Sequence, residues 1–293
     1  YPYQQVSTVF FGGGTPTLLP AGDLIAMLAH LRSLIPLAPG AEVTTEANPD
    51  SVTPESLAQL AEGGITRVSF GMQSAVPHVL ATLDRTHDPE RVPRVVEWSR
   101  AAGFEQVSVD LIYGLPLQTV ASFDATLSKI IDIRPDRIAA YSYAHLPDLV
   151  RAQKLIRPED MPPPERKLEL LELTIQRLTA AGYVYIGMDH FSLPEDELTL
   201  ARANGTLQRN FQGYSTHADC DLIGLGISSI GKVADSYSQN VKELSQYYAR
   251  LNDGMLPVHR GYKLSDDDRL RRDVIVSLMC HGRIDYRQIE QKH

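Results

Sequence analysis

The chain has 293 residues, 43% hydrophobic and 22% charged, enough for one large buried core or two smaller ones. Lys plus Arg number 28 against 36 Asp plus Glu, a formal charge of −8, which argues against nucleic acid or an anionic membrane as a general partner. No run approaches a membrane span in length and no signal peptide opens the sequence; a cytoplasmic protein is expected, and a monomeric one. The two cysteines, Cys220 and Cys280, make neither a disulfide framework nor a metal-ligand spacing and read as reduced thiols, so no metal ligand is assigned. A strand pattern starts almost at Tyr1 and a helical run from Ile284 to His293 ends uncapped. A fragment of a longer protein is therefore expected.

Short β-branched runs alternate with amphipathic ones. Strands are predicted at Val6–Phe11, Glu42–Glu46, Arg67–Gly71, Gln106–Ile112, Arg137–Tyr143 and Tyr183–Met188. Between them, helices are marked by Leu24, Ile25, Leu28 and Leu31, and by Leu57 and Leu60 behind an N-cap at Thr53 with Pro54 in the first turn. Further helices follow at Val79–Leu83, at Val92, Val95 and Val96 (closed by Gly103), at Phe123–Ile131, and at Pro163–Ala181 with Leu168, Leu171, Ile175 and Leu178 inward. Such alternation implies βαβ units and a parallel sheet, and the number of strands suits an α/β partial barrel better than a dinucleotide-binding domain. The expected organisation is an incomplete barrel over 1–195, an irregular barrel-completing segment over 196–264, and the start of a truncated helical domain over 265–293. Asp266-Asp267-Asp268 reads as a solvated helix start.

In a parallel barrel the strand C-terminal ends share one face, which carries the active site. Here those ends read Gly12-Gly13-Gly14-Thr15-Pro16, Glu46-Ala47-Asn48-Pro49, Gly71-Met72-Gln73-Ser74, Asp110-Leu111-Ile112-Tyr113-Gly114-Leu115-Pro116, Tyr143-Ala144-His145-Leu146-Pro147 and Asp189-His190. The triple glycine permits close backbone approach to a ligand. It matches neither the dinucleotide fingerprint nor a P-loop, and from the glycines alone a plain tight turn is the marginally better reading. Glu46 and Asp110 suit hydroxyl or amino donors, or else an ion pair inside the barrel. Gln73 reads as a bidirectional amide or a structural one, and Arg85 as a carboxylate fork or a solvated arginine. For His145 and His190 a satisfied structural role is the favoured reading.

Taken together, Phe11-Gly12-Gly13-Gly14-Thr15-Pro16-Thr17, Asp110–Pro116, Tyr143–Pro147, Ile186-Gly187-Met188-Asp189-His190-Phe191, Asn210-Phe211-Gln212-Gly213-Tyr214 and Arg271-Arg272-Asp273-Val274-Ile275 resemble the oxygen-independent coproporphyrinogen III oxidases of the radical S-adenosylmethionine superfamily. The resemblance runs along essentially the whole chain. It implies a radical S-adenosylmethionine partial barrel, here without its first strand, followed by a mostly helical C-terminal region. It implies two bound S-adenosylmethionine molecules and a [4Fe–4S] cluster. Gly13, Glu46 and Ile230 would contact the cluster-bound molecule; Gly14, Thr15, Gln73, Arg85, Asp110 and Ala144 would contact the second. The family's cluster cysteines precede the glycine motif, and the chain begins downstream of them.

The reaction implied is the conversion of two propionates of coproporphyrinogen III to vinyl groups by a 5′-deoxyadenosyl radical, giving protoporphyrinogen IX in haem biosynthesis. An electron donor and an electron acceptor are the further partners. The protein supplies orientation and exclusion of water while the cofactor carries the hard chemistry, so no acid–base pair is nominated. The chain itself is expected to be inactive and, with β-strand Val6–Phe11 left as a sheet edge, association-prone. A related haem-trafficking chaperone and a phosphate-binding barrel enzyme are the competing readings; barrel phosphate sites follow late strands, whereas this glycine loop follows an early one.

Overall fold

A computed structural model describes residues 5–85, 88–217 and 220–293. The chain separates into two compact units, Tyr1–Asp196 and Glu197–His293. The first unit runs β1 (Val6–Phe11), α1 (Ala21–Leu34), β2 (Leu37–Ala47), α2 (Pro54–Glu62), β3 (Arg67–Gln73), α3 (Pro77–Ala81), α4 (Arg91–Ala101), β4 (Gln106–Tyr113), α5 (Val120–Ile133), β5 (Arg137–Ser142), α6 (Pro164–Ala180), β6 (Val184–Gly187) and β7 (His190–Ser192). Its seven strands form one curled, mostly parallel sheet in the order β1-β2-β3-β4-β5-β7-β6. Strands β1 to β5 pair in parallel with their sequence neighbours, and each return carries at least one helix, the crossover a parallel pair requires.

Period-two alternation gives this sheet two unlike faces. Val43, Val68, Phe70, Met72, Val107, Val109, Leu111 and Ile138 point to one side and are almost wholly buried. They pack with Leu24, Leu28, Leu57, Leu60, Phe123 and Leu127 from the crossover helices in one apolar cluster. At about 25 cal/mol per Å² of apolar surface, this burial is the main drive to fold. The intervening residues Glu42, Thr44, Glu46, Ser69, Gly71, Ser108 and Asp110 share the opposite, partly accessible face, because the ladder aligns Glu46 with Ser69, Ser69 with Ser108, and Gly71 with Asp110.

Local signals in the sequence account for the helix starts. Thr53 and Thr119 form capping boxes with Ser56 and Ser122, each side chain bonding the other's backbone N–H. Helix α5 closes on Arg134 in the left-handed conformation, φ 50°. Three expectations need correction. Predicted strand Tyr183–Met188 does not extend the parallel run: β6 turns back at left-handed Met188 (φ 48°) into β7, which lies antiparallel to β5. On α6, Leu168 is 68% exposed, whereas Leu170, Thr174 and Leu178 are the inaccessible positions. A threonine fits that core because its Oγ donates to the Leu170 carbonyl at 2.6 Å. The region beyond Glu195 is also more ordered than its glycines suggest.

That second unit contains α7 (Glu197–Ala203), hairpin β8 (Gln208–Asn210) and β9 (Gly213–Ser215), strands β10 (Ile230–Val233) and β11 (Ser236–Asn240), α8 (Leu244–Asn252), β12 (Val258–Lys263), α9 (Asp266–His281) and α10 (Tyr286–Lys292). Strands β10, β11 and β12 make an antiparallel sheet. Asp266–Asp268 do open a helix, α9, behind an N-cap at Ser265.

At the N-terminal end of the first sheet's polar face, charged groups lock neighbouring strands together. Arg67 Nη1 lies 3.1 Å from Glu42 and donates to Gln106 at 3.0 Å. Gln106 donates to Asp196, which also pairs with Arg137 at 2.9 Å. The Asp196 side chain is only 2% exposed and that of Arg137 14%. Removing one partner of so buried a pair leaves a charge without compensation. Asp196→Ala is expected to cost about 3 kcal/mol, and Asp196→Asn less; urea denaturation of the two variants measures both.

Candidate active site at the strand ends

Past β1 the chain enters the glycine run. A side chain at Gly12 would put its Cβ 2.3 Å from a carbon of the Phe10 ring, so only glycine fits without moving that ring. Gly13 adopts φ +114°, and its N–H donates to Glu46 Oε2 at 3.2 Å. Above Gly13 and Gly14 no heavy atom lies within 4 Å of where a Cβ would stand, so backbone is open to close approach. Half-buried Thr15 follows as the start of a single 3-10 turn, Pro16–Leu18, its carbonyl accepting from Leu18 N–H at 3.0 Å.

Glu46 and Asp110 sit on the same sheet face, with Ser69 aligned between them. Burial raises the Glu46 carboxyl, and the Gly13 N–H partly offsets this. Burial, and then the neighbouring Glu46 charge, push Asp110 up to about 7 against the hydrogen bond from Ser69 Oγ at 3.3 Å. Two acids share one low-dielectric patch, which favours a cation or hydroxyl and amino donors as company.

Next to them β3 ends irregularly. The β3–β4 register shifts between Gly71 and Gln73, and Gln73 takes φ +64°. A left-handed non-glycine costs roughly 1–2 kcal/mol, a strain that clusters at ligand sites. The turn folds the amide back so that its Nε2 would stand 2.7 Å from a Cβ on Gly71. The Gln73 Oε1 is buried with no hydrogen-bond partner among the described residues. Arg85, in the segment after α3, donates from Nη1 to the Gly71 carbonyl at 3.3 Å. Its acceptor in this structure is therefore main chain beside Asp110, while Asp110 takes its own bond from Ser69.

Beyond β5, exposed Ala144 is fixed by its backbone. Gln153 Nε2 donates to the Ala144 carbonyl at 2.9 Å, and Gln153 Oε1 accepts the Leu146 N–H. Lys167 Nζ donates to the Tyr143 carbonyl at 3.0 Å. The Tyr113-Gly114-Leu115-Pro116 turn is held by buried Gln118, which accepts from Gly114 N–H at 2.6 Å and donates to the Ile112 carbonyl at 3.1 Å. The structure thus gathers Gly13, Glu46, Gln73, Arg85 and Asp110 around β2, β3 and β4 and puts Ala144 past the end of neighbouring β5. Ile230 opens β10 of the second unit, opposite Gln239. His190 begins β7 with its ring 6.0 Å from that of Tyr141, edge to face. Sequence reasoning missed Ser69, Gln118, Gln153 and Lys167. Of these only Gln118 carried a local signal, a polar side chain four residues past Gly114 that can bond back to a turn.

Comparison with known proteins shows the family of the chain. Residues 2–130 match the model of the radical SAM superfamily. The chain is 43% identical over 289 residues to an oxygen-independent coproporphyrinogen III oxidase of Pseudomonas aeruginosa, covering 98% of this chain and 63% of that protein. With the enzyme of the same name from Thermostichus vulcanus it shares 43% identity over 246 residues, 84% of this chain and 76% of that one. The structure of coproporphyrinogen III oxidase from Escherichia coli, described as a radical SAM enzyme, superposes with a TM-score of 0.95 at 42% identity, over 98% of this chain and 66% of that one. The chain spans about 63% of the length of the Pseudomonas and Escherichia enzymes.

The raised Asp110 carboxyl makes stability depend on pH. Between its ordinary value of 3.8 and about 7 the folded state holds a proton that the unfolded state releases. The ligand-free chain should therefore lose stability as pH rises through that window and level off above it. Asp110→Asn removes the titration: its stability relative to the native chain should grow from pH 4 to pH 7, reaching on the order of 2–4 kcal/mol at pH 8. Urea midpoints across this range measure it, and parallel curves for the two proteins would contradict the assignment.

Proposed function

The chain belongs to the oxygen-independent coproporphyrinogen III oxidases, within the radical SAM superfamily, and from that premise we propose that the protein containing it oxidatively decarboxylates two propionates of coproporphyrinogen III, giving the vinyl groups of protoporphyrinogen IX. The observation that carries the reading is the pair Glu46 and Asp110 set beside the open backbone of Gly13 and Gly14. A half-buried, part-protonated carboxylate pair is a poor place for an anionic substrate and a good one for an adenosyl sulfonium, which brings ribose hydroxyls, an amino group and a positive charge. The buried, unpartnered Gln73 Oε1 adds an acceptor in need of a donor. The residues present therefore fit S-adenosylmethionine.

When bound and reduced, S-adenosylmethionine supplies hydrogen-atom abstraction from an unactivated C–H bond. The chain's residues supply the holding. In this reading Gly13 and Glu46 receive one S-adenosylmethionine. Gly14, Thr15, Gln73, Asp110 and Ala144 receive the other, and Arg85 leaves the Gly71 carbonyl for its carboxylate. The clamps at Gln118 and Gln153 keep the last two strand-end turns in place, so that orientation is set before the substrate arrives. An electron donor and an electron acceptor complete the reaction, and a cytoplasmic, monomeric protein suits it. Among the described residues no helix is long and apolar enough to cross a membrane.

The iron–sulfur cluster is a different matter. Clusters of this kind are held by several thiolates. The sequence has only Cys220 and Cys280. Cys220 is exposed, whereas Cys280 is buried and its thiol is pushed up to about 11, away from the thiolate that binds iron. Among the described residues no group of three His, Cys, Asp or Glu could hold a metal ion. The chain's own residues do not fit a cluster.

The decisive assay is anaerobic conversion of coproporphyrinogen III by the protein extended to its relatives' length. Protoporphyrinogen IX is the expected product; haem binding without turnover would favour a trafficking role instead. In the same protein Arg85→Lys should lower kcat/KM at least about tenfold, because a point charge replaces the planar fork. The 293-residue chain alone, incubated anaerobically with iron and sulfide, should take up almost no iron and show no cluster absorption band. Near-stoichiometric iron would show that ligands lie within it.

A further inference from the structure

His145 stands at the same strand-end site, one residue beyond Ala144. Its Nδ1 is buried and has no hydrogen-bond partner among the described residues. Buried polar atoms in folded proteins are nearly always paired, and one left alone costs about 1–3 kcal/mol. Such an atom beside a ligand site marks a place where the partner comes from outside the chain.

The backbone around it is anything but loose. Gln153 bonds the carbonyl of Ala144 before it and the N–H of Leu146 after it, and its side chain also meets the Tyr143 hydroxyl. Lys167 fixes the Tyr143 carbonyl at 3.0 Å, and the Tyr143 N–H in turn donates to the Tyr113 carbonyl at 2.8 Å. The Tyr143 ring flanks the imidazole at 6.3 Å between centroids. Tyr143, Ala144 and Leu146 are thus tethered by main chain or side chain, and His145, between the two Gln153 anchors, has its Nδ1 without a partner among the described residues. Backbone held this firmly on both sides of His145 loses little further freedom on meeting a ligand.

We infer that His145 is a ligand-binding residue of this site, donating a hydrogen bond to a carboxylate, with Gln153 as the residue that positions it. The inference rests on the functional reading above. That reading brings two carboxylate sources to the site: the propionates of the tetrapyrrole and the aminoacyl carboxylate of S-adenosylmethionine. Glu46 and Asp110 are themselves acids, so they repel rather than bind such groups, which leaves the work to donors elsewhere on the rim. Imidazole N–H is a donor at any protonation state and becomes a charge-assisted one on protonation.

The test uses the 293-residue chain and two probes. Coproporphyrin III, the oxidised and fluorescent form of the substrate, is titrated by fluorescence beside its tetramethyl ester. S-adenosylmethionine is titrated by calorimetry beside its decarboxylated form. The variants are His145→Phe, His145→Asn, His145→Gln and Gln153→Leu, each checked for an unchanged thermal midpoint. His145→Phe should weaken one acid probe about tenfold and leave its ester or decarboxylated counterpart unchanged. Loss confined to coproporphyrin assigns a propionate; loss confined to S-adenosylmethionine assigns the aminoacyl carboxylate. Asn or Gln should restore part of the affinity, according to which ring position carries the donor. Gln153→Leu should weaken the same probe through misplacement of His145 and add little to His145→Phe in the double variant. Native chain that binds neither probe would overturn the functional reading and this inference with it. Native binding that His145→Phe leaves intact, or weakens equally for acid and blocked probe, would overturn the role of His145 alone.

Discussion

Two carboxylates held near each other on the polar face of a parallel sheet are the constraint around which the first unit is organised. Glu46 and Asp110 come from β2 and β4, and Ser69 of the intervening strand hydrogen-bonds Asp110. Placing acids there opposes folding, since burial raises both carboxyls and the Glu46 charge raises Asp110 further. The apolar face of the same strands supplies the opposing stability, with Phe70, Val107, Val109 and Leu111 wholly buried beneath the crossover helices. The division follows from pleat alone: residues of odd and even position in one strand form a polar face and a packed one.

The same logic explains why the irregularities collect where they do. At the N-terminal end of the sheet the polar face is closed by fully compensated charge, Glu42 to Arg67 and Arg137 to Asp196. At the C-terminal end the structure tolerates a left-handed glutamine, a glycine run, an unpaired amide oxygen and an unpaired imidazole nitrogen. Each is locally unfavourable, and under the proposed function each would gain its missing partner from the ligand. On the proposed function, stability is thereby concentrated at one end and ligand binding at the other.

Much of this was legible in the sequence, for particular reasons. Strong alternation in Arg67–Gln73 and Gln106–Tyr113 announces both faces at once, and Thr53-Pro54 announces a helix start through its own side chain. Strand ends could be nominated as a site because parallel sheets gather them. What failed were features decided by partners distant in sequence. The hairpin of β6 and β7 depends on pairing with β5, which the apolar run at Tyr183–Met188 does not encode. Leu168 and Leu170 look alike in sequence, and only packing against α5 and β4 selects the second. Gln153 acts on Ala144 from nine residues away, a distance at which no helical or strand period gives a signal. The second unit was the least readable, because its short strands β8 to β11 carry few apolar residues and many turns.

The measurement that bears most directly on the carboxylate pair is a crystal structure of this chain grown with S-adenosylmethionine. Adenosyl groups are expected over Gly13 and Gly14, with ribose or amino donors within hydrogen-bond distance of Glu46 and Asp110 and with the Gln73 Oε1 newly paired. Ligand bound away from the strand ends, with Glu46 and Asp110 untouched and Gln73 still unpaired, would contradict that expectation.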